Sequence, residues 1–378
     1  MISAVFLIRV GSFLLFFVMF NSMYLIGVEN GTLAALSKIT FYFSICVLFC
    51  FLIFCGSSLA SDNYFFFLVF FLFVFWVFFR AIDYYGVVVA CQSMILLLLS
   101  LALTGAGENC RYYLANALKA SVVFFLIISF THFFVADIFS NNNFWGLYCL
   151  IFLVVSLGFG GGLKYLAVPC FIFLVLSGTR SALLGFLVGL AVLFFLKSSR
   201  QVKVLLVALS FVVIAFLVGI GFFDYVVSAE FANLVMEKTG KRIESGRIEI
   251  WSAILSAMQI KDWLVGLGGG YDLSSIIGTT LSAHSGYINI LSSFGLVGLV
   301  LFVALIFMIS RASYKKGWFI TFFMIIALAI REFFEVSLLN NNFPVAVFFW
   351  GVLASGAIDK SFRGGLIDEA SAPRYGSW

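Results

Sequence analysis

The residues in this chain whose types and spacing suit chemistry are three arginines and a histidine: Arg180, Arg242, Arg247 and His284. Arginine presents a rigid fork of donors and never loses its charge, which suits phosphate and diphosphate groups. A departing diphosphate gathers negative charge on its oxygens, and fixed guanidinium groups can stabilise that charge. An imidazole with an ordinary pKa near about 6.5 can take a hydroxyl proton at neutral pH. Metal motifs are missing: there is no Asp-x-Asp pair, no His-Glu-x-x-His and no Cys/His cluster, so neither a metal nor a cofactor is expected. A Ser-His-Asp hydrolase stays open, although no Gly-x-Ser-x-Gly elbow is present. On residue types alone the set fits an enzyme acting on a lipid phosphate. A transporter for an anionic lipid or sugar would use similar arginines.

What must position these residues is a membrane bundle. The chain is 63% hydrophobic and only 10% charged, with fifty Phe among 378 residues. No soluble core of this length absorbs so much apolar surface, so the expected class is all-α and polytopic. Apolar runs predict about twelve spans, near 4–26, 39–56, 64–80, 84–104, 112–136, 144–160, 163–178, 181–196, 203–222, 286–309, 318–334 and 343–358. The first run reads as a true span rather than a cleaved signal. The seven cysteines lie in apolar settings and read as packing residues. The net charge of +5 is scattered among short loops and implies no nucleic acid.

The positive-inside rule orients the bundle. A cytoplasmic N-terminus places Lys197, Arg200, Lys203, Arg311, Lys315 and Lys316 inside, along with the polar tail from Asp359. The expected division is then spans 1–9 over 1–222, a periplasmic loop over 223–283, spans 10–12 over 284–358 and a cytoplasmic tail over 359–378. Ionisable residues gather near the external side: Arg80 and Asp83, His132 and Asp137, Arg180, His284, Arg331, Glu332 and Glu335. Charge at membrane depth is costly unless paired or facing a wet cavity, so these positions mark function by default. For Arg80/Asp83 and Arg331/Glu335, the plain alternative is ion pairing that knits helix ends. For Arg180 it is headgroup anchoring, for Arg247 a solvated loop charge, and for His284 a helix-start bond to backbone.

Within the loop the pattern predicts a helix over about 228–239 and another over about 246–260, the second with Ser245 as N-cap. Arg247, Trp251, Ile254 and Met258 share a face of the second helix. Resting Trp251 on the bundle or the bilayer interface would hold Arg247 across the cavity mouth. The run Gly266-Leu267-Gly268-Gly269-Gly270 lacks the Lys-Ser/Thr of a P-loop. It predicts a tight turn or a close backbone approach to a ligand.

Five segments resemble, in order, the signature of the O-antigen polymerase and ligase superfamily. They are Ser177-Gly178-Thr179-Arg180-Ser181-Ala182, Gly246-Arg247-Ile248-Glu249-Ile250-Trp251, Gly266 to Gly270, His284-Ser285-Gly286-Tyr287-Ile288-Asn289 and Phe294-Gly295-Leu296-Val297-Gly298. The motif-bearing part covers about 175–310. The resemblance implies a metal-independent, GT-C-like glycosyltransferase of the bacterial inner membrane, with undecaprenyl-pyrophosphate-linked glycans as donor and acceptor. Arg180 and Arg247 would then engage the pyrophosphate, and His284 would activate the acceptor hydroxyl. Arg242, Arg80, Tyr287, Asn289, Arg331 and Glu335 complete the expected substrate-binding set. The family often has Asn after its His; here Ser285 stands there, and if that Asn positions substrate, Ser285 or Asn289 must substitute. The expected function is polymerisation of lipid-linked repeat units, with a chain-length regulator protein as a partner. Ligation to lipid A-core or to a protein is the alternative, and a lipid-linked glycan flippase is the non-enzyme one.

Overall fold

The computed structural model describes residues 64–104, 108–135, 138–139, 142–159, 161–204, 206–207, 237, 247–277, 283–338, 345–346 and 348–353. The expected spans at 4–26 and 39–56, nearly all of 203–222 and of the helix at 228–239, Ser245, Arg242, Asp137 and the tail lie outside those residues. The described chain is all-α. In order it forms α1 (Tyr64–Phe79), α2 (Tyr84–Thr104), α3 (Glu108–Phe134), α4 (Asn142–Leu157), a 3-10 turn (Gly161–Leu166), α5 (Ala167–Leu176) and α6 (Arg180–Lys197). Further along the chain come α7 (Arg247–Ala257), α8 (Ile260–Val265), the single turn α9 (Ser274–Ile277), α10 (Gly286–Lys315), α11 (Phe319–Arg331) and a π-helical turn (Phe348–Leu353). The sole bridge among the described residues pairs Ala81 with Gly269.

Two of these helices, α6 and α10, are long and apolar enough to cross a membrane, and six further apolar segments are shorter. Large apolar side chains such as Phe65, Phe71, Phe75, Phe194 and Phe307 face outward. A surface of that kind suits hydrocarbon rather than water. At the centre stands α4, buried on every face from Trp145 to Ser156. A helix apolar all round must be enclosed by others, and α3, α5, α6 and α11 enclose it. Cys149 of α4 and Cys170 of α5 are fully buried packing residues, as expected.

Two departures from the expected elements have local causes. The run predicted as one span over 163–178 opens as a 3-10 turn, and α5 starts only at Ala167, with Pro169 in its first turn. The loop helix predicted over 246–260 stops at Ala257, and α8 begins afresh at Ile260. The Asp262 carboxylate accepts from the Gln259 amide at 3.0 Å and fixes that restart.

The glycine run is structural. Gly295, at φ 68°, breaks α10 in two, and a break frees carbonyls that must find donors. The Leu267 and Gly268 amides take the Ser292 and Ser293 carbonyls at 2.7 and 3.0 Å. The Trp76 indole takes the Phe294 carbonyl at 2.8 Å. The close approach expected of this run is therefore to the chain's own backbone. Arg80 belongs to the same lock: its Nη2 donates to the Gly266 carbonyl at 2.8 Å, and its carbonyl accepts from the Gly269 amide at 2.7 Å. Asp83 accepts from the Gly86 amide at 2.6 Å and so caps α2. A Cβ at Gly295 would meet the Leu264 carbonyl, in a backbone region that penalises side chains. Gly295→Ala is expected to lower stability by about 1–3 kcal/mol, read as a lower midpoint of thermal unfolding in detergent. An unchanged midpoint would contradict this packing.

Candidate active site

Four helix ends meet at one end of the bundle. Helices α6 and α11 run antiparallel, with Gly185 against Ala327 and Gly189 against Phe323. That pairing sets Arg180, which opens α6, level with Arg331, which closes α11. The Gly286 amide, opening α10, donates to the Glu332 carbonyl at 2.8 Å and to the Glu335 carbonyl at 3.2 Å. Helix α4 joins through its first turn: the Thr179 hydroxyl donates to the Asn142 carbonyl at 2.9 Å, and Arg331 Nη2 to the Asn143 carbonyl at 3.3 Å. Three of the four ends are N-termini, whose partial positive charge favours anions.

Arg247 reaches this meeting point from the loop. Its Nη2 donates to Glu335 Oε1 at 2.8 Å, with side-chain exposures of 21% and 14%, so the pair is only half wet. Asn143 Nδ2 donates to the same oxygen at 3.1 Å. The face predicted for the loop helix explains how Arg247 is held. Ile254 and Met258 are buried, Ile250 and Ile254 pack on Ala283, and Trp251, Leu273 and Ile288 close the cluster. The Trp251 indole donates to the Ala283 carbonyl at 2.7 Å. One helix therefore carries Arg247 and also grips the residue before His284.

His284 is the one non-glycine residue at positive φ among the described residues, at 47°. Such a conformation costs about 1–3 kcal/mol and persists only where its surroundings hold it. Here Trp251 holds Ala283 on one side. On the other, Ser285 caps α10 by accepting from the Ile288 amide at 3.4 Å. Burial lowers the His284 pKa below its ordinary value of 6.5; Glu335 pulls it up and Arg247 pushes it down. The imidazole is therefore neutral and able to accept a proton at pH 7. Protonation sets in only as pH falls through that lowered value. The acidic limb of kcat/KM, which reports the free enzyme, is expected below about pH 6.5. A pH series at limiting donor checks this, and a limb above 7 would contradict it.

The other expected site residues divide by position. Arg180 is exposed, whereas the Ser177-Gly178-Thr179 part of its motif is scaffold. Ser177 Oγ donates to the Leu174 carbonyl at 2.7 Å, and Thr179 packs against Gly146 of α4. Asn289 is half-buried on the first turn of α10. Ser285 is buried as the cap of α10. The Tyr287 hydroxyl donates to the Ala329 carbonyl at 2.9 Å, and its ring lies against Phe333. Arg331 is 1% exposed and donates to Ser337 Oγ at 2.9 Å. Buried Glu332 accepts from the Ser337 and Leu338 amides and from the Ser337 hydroxyl. Arg331 and Glu332 thus fold the 331–338 turn that presents Glu335, and Arg80 sits in the glycine lock. His132 accepts from the Ile138 and Phe139 amides and packs on Trp145, a bonded core residue.

Asn143 escaped the sequence reading, although an asparagine opening a span beside charged helix ends is a usable signal. Among the described residues no three His, Cys, Asp or Glu side chains gather as a metal-binding group.

Residues 165–303 match the family model described as O-antigen ligase. This segment belongs to that family. The O-antigen ligase segment runs from the 3-10 turn before α5 into α10 and carries Arg180, Arg247 and His284. Asn143, Arg331 and Glu335, which bond to one another or to Arg247, lie outside it. No curated protein matches the chain.

Proposed function

We propose that this protein is a membrane glycosyltransferase of the O-antigen ligase type, moving a glycan from undecaprenyl pyrophosphate to a hydroxyl of lipid A-core. The observation that carries the reading is Arg247 joined to Glu335 beside His284, at a point where three helix N-termini meet. The matched family is described as O-antigen ligase, which supports ligation over the polymerisation expected from the sequence. In the reaction, the acceptor oxygen attacks the anomeric carbon as its proton passes to His284. The bond from that carbon to the diphosphate oxygen breaks, and the electron pair leaves on the diphosphate. Arg247 and exposed Arg180 neutralise that charge. His284 then returns its proton to solvent. Displacement from the opposite face inverts the anomeric centre, and retained configuration in the product would overturn it.

The reading carries a topology with it. About twelve spans in a GT-C-like arrangement would cross the bacterial inner membrane, nine before the loop and three after it. Both termini would be cytoplasmic, and the site periplasmic.

Acceptor choice tests the proposal. Reconstituted protein receives a synthetic undecaprenyl-pyrophosphate glycan, with and without lipid A-core. Glycan on lipid A-core only when that acceptor is present is the expected result. A ladder of repeats formed from the donor alone would overturn ligation, restore polymerisation and bring a chain-length regulator back as a partner.

A further inference from the structure

Glu335 is paired with the residue assigned to the diphosphate and bears electrostatically on the residue assigned to the proton. Its Oε1 accepts from Arg247 Nη2 at 2.8 Å and from Asn143 Nδ2 at 3.1 Å. Its backbone carbonyl accepts from the Gly286 amide at 3.2 Å, two residues beyond His284. The carboxylate is thus tethered at its base to the His284 turn and at its tip to Arg247. The ion pair also cancels the charge that Arg247 would offer an anionic donor.

We propose that Glu335 changes partner during the reaction: a diphosphate that claims Arg247 displaces the carboxylate, which pivots on Asn143 toward the His284 imidazole. This rests on the transfer reading above. A diphosphate carries more charge than one carboxylate and matches the guanidinium fork, so it competes well for Arg247. Its charge also repels Glu335. A carboxylate has about four lone-pair sites, so Glu335 can keep Asn143 while taking a new donor. Beside the imidazole it would orient the ring and stabilise the imidazolium without itself becoming protonated. A bound donor therefore strengthens the base. Glu335 acts through His284 and is therefore a positioning residue.

Among the described residues, the other charged groups bearing on the pair are Arg247 from α7 and Arg331 and Glu332 from the end of α11. Glu335 already pulls the imidazole pKa up while Arg247 pushes it down. Moving the carboxylate from one to the other therefore raises it.

The chain has two histidines, so the His284 signal in histidine-labelled NMR is assigned as the one that His284→Asn removes. The probe is inorganic pyrophosphate, added to intact wild type and to Glu335→Gln, which keeps the Asn143 bond. Pyrophosphate is expected to raise the His284 pKa of wild type by about one unit and that of Glu335→Gln by less than half as much. Pyrophosphate affinity should be kept or improved in the variant. Equal rises would assign the whole effect to the probe's own charge and overturn the proposal. Loss of pyrophosphate binding in Glu335→Gln would overturn it too, reducing Glu335 to a brace for Arg247. Transfer assays on the same samples are expected to show kcat reduced about 10–100-fold in the variant with donor KM not raised; raised KM with kcat intact would also overturn it. If wild type transfers nothing, the transfer reading fails, and the titration still decides whether Glu335 changes partner.

Discussion

Arg247→Ala is expected to reduce glycan transfer about 10²–10³-fold, the scale of removing one fixed donor from a developing oxyanion. Two losses combine. The donor's diphosphate loses a guanidinium held at the meeting of three helix N-termini. Glu335, at 14% exposure, loses the ion-pair partner that offsets its burial. A half-buried carboxylate without that partner repels the diphosphate that should sit there. Arg247→Lys restores the charge but not the fork, so it is expected to recover only part of the rate. Because the Trp251 grip on Ala283 is untouched, both variants should fold as wild type does. Donor KM and kcat, measured on purified protein, check this; an Arg247→Ala rate within about threefold of wild type would remove Arg247 from the site.

The second large effect belongs to His284. Losing a general base costs about 10²–10⁴-fold. The choice of variant matters because His284 sits at φ 47°. Alanine there would pay a backbone penalty as well, whereas asparagine tolerates that region. His284→Asn is therefore expected to hold the turn, bind donor at a wild-type KM and lose about 10²-fold or more in kcat. A variant that keeps more than a tenth of the wild-type rate would leave His284 as a structural turn residue.

Much of this arrangement is legible in the chain. The run at 64–80 becomes Tyr64–Phe79 and the run at 84–104 becomes Tyr84–Thr104, because apolar length is a local property. Arg247, Trp251 and Ile254 lie on α7 at that spacing, whereas Met258 falls just past its end at Ala257; Ile254 and Met258 are both buried. Long-range bonds are not legible. Nothing local to Asn143 says that its amide meets a carboxylate 192 positions away. Nothing local to Arg80 says that it serves the Gly266 carbonyl rather than a substrate. The fate of the glycines was half visible. Glycine at 266, 268 and 270 permits the positive φ seen there, but the docking of Gly266 and Gly268 at the break in α10, and of Gly270 against Asp83 and Gly86, depends on tertiary packing. Arg331 and Glu332 mark charge at a helix end, yet the sequence does not separate them, as supports of the turn, from Glu335, which that turn presents to Arg247.

The most direct test of the central claim is one transfer measurement. Purified wild type in nanodiscs receives a labelled undecaprenyl-pyrophosphate glycan, lipid A-core and excess chelator, with Arg247→Ala and His284→Asn alongside. The predicted result is labelled glycan on lipid A-core, one free undecaprenyl pyrophosphate released per transfer, and both variants near the blank. Transfer at wild-type rates in both variants, or labelled lipid that crosses the bilayer intact with no glycan transferred, would contradict it.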